Sequence, residues 1–208
     1  MTVGAIASTI VYVIGTVLYA VLAGLVFRRR RKRGRHLLAD VVAAAAIARL
    51  AGVPGDAMVR AVAGFRGLEH AMEPVAEHRG VGFVNDSKAT NVESARRAIE
   101  SFGTALVVIL GGRFKGGDLR DLREPLRQRG RAVIAIGEAR DRVHDALDDV
   151  VEVHDAASMR EAVERAFELA SPQGTVLLAP ACASFDMFGD YVERGRAFKE
   201  EVRRLVAG

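Results

Sequence analysis

The sequence predicts an α/β protein: a Rossmann-like, mostly parallel sheet with helices on both faces, preceded by a helical segment and one N-terminal transmembrane helix. Three observations predict it. Short runs rich in β-branched residues recur at 81–84, 105–110, 132–136, 150–153 and 174–178. Amphipathic helical stretches separate most of them, and strands about every 20–25 residues with helices between them indicate βαβ units and a parallel sheet. Residues 3–27 carry no charged side chain.

The apolar stretch comes first in the chain. As a helix, residues 3–27 would reach about 37 Å, enough to cross a hydrocarbon core of about 30 Å with some tilt. A basic run follows: Arg28, Arg29, Arg30, Arg31, Lys32, Arg33 and Arg35. A cleavable signal peptide has the opposite order, with its charges before the apolar part. The positive-inside rule puts everything after Arg28 in the cytoplasm. The expectation is therefore a single-pass inner-membrane chain, with residues 1–35 as anchor and juxtamembrane run. The run reads as a contact to anionic lipid.

The same run explains a misleading charge. The chain has 30 basic and 26 acidic residues. Setting aside the seven basic residues of the run leaves 23 basic against 26 acidic. A body of that balance has no global attraction for polyanions, so nucleic acid is excluded as a partner. The lone Cys182 excludes an intramolecular disulfide and any multi-cysteine zinc site.

Residues 37–50 are rich in Ala, Leu, Val and Ile and predict a buried helix, which Gly52 and Pro54 end. Residues 55–64 predict a second, shorter one. A boundary falls near Gly67–Met72, where the pattern changes to strands. The clearest later helix carries Met159, Ala162, Val163, Ala166, Phe167 and Ala170 at i, i+3, i+4, i+7, i+8 and i+11. A charged amphipathic helix is expected over 187–206.

Ligands of a wound parallel sheet bind at the carboxyl ends of its strands. The segments there are Asn85–Asn91 (NDSKATN), Gly111–Gly117 (GGRFKGG), Gly137–Glu138 and Pro180–Ser184 (PACAS). The first opens a helix, with Asn91 or Thr90 as its cap, and free backbone N–H groups there suit an anion. The second combines glycines, which allow close approach, with the positive charge of Lys115. Any one of these loops reads as a solvated turn; three together at strand ends favour a ligand site. No GxGxxG follows the first strand, and no GxxxxGK[ST] occurs. The histidines show no metal spacing, and His144 and His154 read as surface residues. Cys182 reads as a small buried residue rather than a nucleophile.

With NDSKATN at 85–91, LGGRFKGGDL at 110–119 and PACASFDMF at 180–188, the sequence resembles the Mur ligase family, in its D-glutamate-adding branch. GLEH at 67–70, YVERG at 191–195 and the Ala-rich helix after His36 extend the resemblance over residues 36–208. It implies that 36–71 is a helical remnant of the family's central ATPase domain and that 72–208 is its C-terminal domain. The implied reaction is ATP-dependent joining of D-glutamate to UDP-N-acetylmuramoyl-L-alanine in peptidoglycan synthesis.

By motif, the resemblance assigns Thr90, Lys115, Ser184 and Tyr191 to D-glutamate, and Asp86, His70 and Lys88 to the nucleotide. ATP and Mg2+ are the implied cofactors, held mainly by domains outside this sequence. The family's P-loop, its magnesium-binding modified lysine and its UDP-binding domain find no counterpart here. Ala71 stands where the family has an arginine that helps bind ATP. The resemblance thus implies a part inactive by itself, working with a chain that supplies the ATPase and UDP-binding domains. Two other readings fit the same residues: a membrane-tethered, non-catalytic binding module, and a ligase fragment joined to an unrelated anchor by gene rearrangement.

Overall fold

Six strands form one sheet in the order β1-β2-β6-β3-β4-β5. They are β1 (Glu73–His78), β2 (Val81–Asn85), β3 (Leu106–Gly111), β4 (Gly130–Ile136), β5 (Glu152–Ala156) and β6 (Gly174–Leu178). The computed structural model describes residues 35–65 and 67–208. The expected span over 3–27 and most of the basic run lie outside the described residues. Among the described residues, no helix is long and apolar enough to cross a membrane.

The chain divides into two units, one ending at Arg66 and one comprising Gly67–Gly208. In the first, α1 (Arg35–Leu50) and α2 (Gly55–Gly64) fall where the sequence predicts them. A C-terminal cap of the Schellman type stops α1: the Val53 N–H donates to the Ala48 carbonyl and the Gly52 N–H to that of Arg49, with Gly52 at φ 80°. Pro54 follows and prevents continuation. Met58 is buried, while Ile47 is 68% and Leu50 90% exposed. The helix expected to be buried therefore shows much of its apolar surface.

In the second unit, β1 and β2 form an antiparallel hairpin, and every other pairing is parallel. Arg79 and Gly80, both at positive φ, make its two-residue turn. The sequence reading lacks β1, because EPVAEH has no β-branched run and its Pro74 forbids a central place. Pro74 is tolerated on this edge strand, beside a bulge between Pro74 and Ala76.

The inner strands bury both faces, as a doubly wound sheet requires. From β3, Val108 and Leu110 pack on one side with Ile99, Leu122, Leu126 and Leu147. That layer holds α3 (Val92–Glu100), α4 (Arg123–Arg129) and α5 (Arg140–Leu147). Val107 and Ile109 pack on the other with Phe83, Val163, Phe198 and Val202. That layer holds α6 (Met159–Ala170) and α7 (Tyr191–Ala207). The predicted stripe of α6 is buried at Met159, Ala162, Val163, Ala166 and Ala170, and Phe167 stacks on Phe83 at 6.2 Å.

One topological detail locates the site. Neighbouring strands β3 and β6 send the chain to opposite faces, β3 toward α4 and β6 toward α7. Such a switch point leaves a crevice beyond the carboxyl ends of the two strands.

Candidate functional site at the strand tips

The loop after β2 is held from below by a buried polar cluster. Asn85 accepts the Ser87 N–H on Oδ1 at 3.1 Å, which orients its amide. Its Nδ2 then donates to Glu73 Oε2 at 3.1 Å and meets His70 Nδ1 at 2.9 Å. His70 sits at φ 62°, donates its own N–H to Glu73 Oε2 and accepts the Lys88 N–H. Burial holds its imidazole below the ordinary histidine range, so the ring is neutral at pH 7. An accepting Nδ1 places the proton on Nε2, a buried atom 3.6 Å from Glu69 Oε1. Helix α7 passes against this ring at Gly195, where an added Cβ would lie 2.2 Å from His70 Nδ1.

Lys199, one helical turn further, bonds Glu69 at 2.6 Å and Glu73 at 3.2 Å. Burial lowers its ammonium's pKa, but the two carboxylates outweigh burial and raise it. Asp86 continues the sheet through its N–H to Leu178 and takes the Met72 N–H on Oδ1 at 3.2 Å. Burial raises its pKa to about 6. The Lys88 side chain is exposed.

The loops after β2 and β6 are tied by Arg194 of α7, which is 1% exposed. Its guanidinium donates to Ser87 Oγ and to the Ser87 carbonyl, both at 2.9 Å, and to the Cys182 carbonyl at 3.1 Å. Burial lowers its pKa to about 10. Ser87 Oγ donates a hydrogen bond to the Tyr191 carbonyl at 2.7 Å, which sets the first residue of α7. The Tyr191 ring stands edge-on to His70 at 6.3 Å. The Ala181 N–H to the Ala89 carbonyl, 2.9 Å, joins the same two loops beside Thr90.

The glycine-rich loop after β3 is stitched to the loop after β6. Arg113 and Ala183 exchange backbone hydrogen bonds of 2.9 and 3.0 Å as an isolated antiparallel pair. Gly112, at φ 124°, permits this approach, since a Cβ there would lie 2.2 Å from the Ala183 carbonyl oxygen. Ser184 is buried directly beyond that pair. Lys115 is exposed, with Nζ 5.3 Å from the ring centre of Phe185. Asp186 draws in the loop after β4 by accepting the Glu138 N–H at 2.9 Å, and Glu138 pairs with Arg113 at 3.1 Å.

All four predicted strand-tip segments thus meet through direct bonds. Asn91, rather than Thr90, caps α3, accepting the Ser94 N–H. Cys182 is fully buried, and burial raises its thiol's pKa to about 12, which rules out a thiolate nucleophile at neutral pH. His144 and His154 are partly exposed and lie beside carboxylates, His144 against Asp148 and Asp155 and His154 against Glu152. The sequence reading missed Arg194, Asp186 and the Glu69–Lys199–Glu73 group. A charge in an amphipathic helix reads as solvated, and only the fold turns Arg194 inward.

Comparison with known proteins agrees with this geometry. Residues 71–182 match the family described as Mur ligase, glutamate ligase domain. The chain is similar to proteins named UDP-N-acetylmuramoylalanine–D-glutamate ligase. It is 45% identical over 175 residues to that of Chlorobaculum parvum and 48% identical over 170 residues to that of Acidobacterium capsulatum. These alignments cover 84% and 82% of this chain but 38% and 37% of the relatives, so the chain spans less than two fifths of their length. Solved structures share the fold at low identity. MurF from Acinetobacter baumannii aligns at TM-score 0.56 and 16% identity, over 84% of this chain and 38% of that one. Folylpolyglutamate synthase of Mycobacterium tuberculosis, complexed with ADP, aligns at TM-score 0.56 and 16% identity, over 85% and 41%. The wound sheet, its stitched strand tips and these matches agree: the chain belongs to the Mur ligase family, through that family's glutamate ligase domain.

Proposed function

We propose that this chain supplies the amino-acid-binding part of an ATP-dependent ligase that joins D-glutamate to UDP-N-acetylmuramoyl-L-alanine. The observation that supports it most is the pair of backbone stitches, Arg113–Ala183 and Ala181–Ala89. They set the segments carrying Thr90, Lys115 and Ser184 side by side at the switch point. A dicarboxylate there meets one cation and two hydroxyl donors, and charge-assisted bonds of that kind are the strong ones. In this reading Tyr191, the first residue of α7, borders the same site.

In this reading ATP supplies the phosphoryl group that activates the alanyl carboxylate. This domain holds the D-glutamate amine against the activated carbonyl. The C–N bond forms, the C–O bond to phosphate breaks, and the nitrogen gives up a proton. Closure of the site keeps water from the acyl phosphate. On the nucleotide side we place Asp86, His70 and Lys88, which share the loop after β2 and the residues that brace it. Among the described residues, no group of three or more His, Cys, Asp or Glu side chains could hold a metal ion. On the family resemblance, ATP and Mg2+ belong mainly to the ATPase part, which carries the P-loop. The basic run after residue 27 supports a cytoplasmic position for the domain.

The test is phosphate release by the chain mixed with the P-loop and UDP-binding parts of a relative. Release that requires both the chain and D-glutamate is expected; none at any ratio overturns the proposal. A second reading, a non-catalytic binding module, is favoured by one observation, the neutral Ala71 where the family carries its ATP-binding arginine. Ala71→Arg separates the two: it raises D-glutamate-dependent release if the site is catalytic and does nothing in a binding module.

A further inference from the structure

Phe185 is a large aromatic side chain left 55% exposed at the rim of the strand-tip crevice. The face of its ring is not bare, because the Lys115 ammonium lies over it at 5.3 Å, within the range of a cation–π contact. The two residues come from different loops, after β3 and after β6, and each lies two positions beyond the Arg113–Ala183 pair. Lysine ends in a point charge on a flexible four-carbon stem, so a lysine that must meet a carboxylate at one spot needs something to hold it there.

We propose that Phe185 is a positioning residue: its ring holds the Lys115 ammonium at the crevice mouth, ready for a carboxylate of D-glutamate. This rests on the proposed D-glutamate site and adds the group that pre-organises its cation. An aromatic face orients the ammonium without neutralising it, where a carboxylate in the same place would compete with the substrate. The effect of an exposed cation–π contact corresponds to about a two- to fivefold change in affinity.

The experiment uses the full chain, as wild type, Phe185→Leu and Phe185→Tyr. NMR of the Lys115 Cε methylene reads the contact without ligand, through the ring-current shift that the aromatic face induces. Titration with D-glutamate reads the consequence, and thermal unfolding checks that the fold is unchanged. The expected result is loss of the ring-current shift in Phe185→Leu with about two- to fivefold weaker D-glutamate binding, and recovery of both in Phe185→Tyr. Equal affinity in wild type and Phe185→Leu overturns the positioning role and leaves the D-glutamate site standing. A wild-type ring-current shift without saturable D-glutamate binding overturns the D-glutamate site itself, and the role of Phe185 falls with it.

Discussion

The guanidinium of Arg194 bonds the carbonyls of Ser87 and Cys182 at 2.9 and 3.1 Å, joining the tips of β2 and β6 from beneath. Both acceptors lie at buried residues, so removing the side chain strands them without water. Arg194→Met is expected to destabilise the protein by about 3 kcal/mol, the scale of several buried hydrogen-bonding groups left unpaired. Urea unfolding measures it. Arg194→Lys, which keeps the charge but reaches fewer acceptors, falls between.

Asp86 makes stability fall as pH rises. Burial raises its carboxyl to about 6, above its unfolded value, so the folded state binds the extra proton. The contribution is fully present below about pH 4 and is lost as pH passes through about 6, a difference of about 3 kcal/mol. Asp86→Asn is expected to flatten this slope and to exceed the wild type in stability at pH 8, read from unfolding midpoints across pH.

His70 acts in the opposite sense. Its folded pKa is depressed by burial, so its contribution is present above the unfolded histidine value of about 6.5 and is lost as pH falls below it. His70→Asn is expected to weaken that loss. NMR titration of the wild-type imidazole would show a midpoint below the ordinary histidine value; a midpoint above it contradicts the assignment.

Gly195 is the point where α7 touches the His70 ring. Gly195→Ala places a methyl group 2.2 Å from Nδ1 before any adjustment, and an overpacking cost of about 2 kcal/mol is expected. His70→Ala opens space at that spot. A double-mutant cycle should therefore show a coupling of about 1 kcal/mol or more, with the pair less unstable than the sum of its single changes.

We propose that the boundary of the glutamate ligase domain lies within Gly67–Met72. Gly67, Leu68 and Glu69 are exposed, and cleavage prefers exposed connecting segments. Limited proteolysis is expected to cut near Gly67 and spare residues 72–208. Equal resistance on both sides contradicts that boundary.

The parallel strands and α6 are legible in the sequence because burial on both faces leaves β-branched runs, and burial on one side leaves a 3.6-residue stripe. β1 is not, since its six residues form a strand only by pairing with β2. The strand-tip loops are legible as motifs: Lys115 and Ser184 sit where glycines and small residues permit close approach. What joins the loops is not. Arg194, Asp186 and Lys199 look like ordinary surface charges until long-range packing brings carbonyls, amides and carboxylates to them.

The two borders of the sheet have a consequence for assembly. β1 presents Pro74, which has no N–H to offer, and a bulge; β5 presents Glu152 and Asp155, both exposed. Neither rim is a hospitable template for an incoming strand. A protein that associates with this domain is thereby turned away from lengthening the sheet and toward its helical flanks or its crevice.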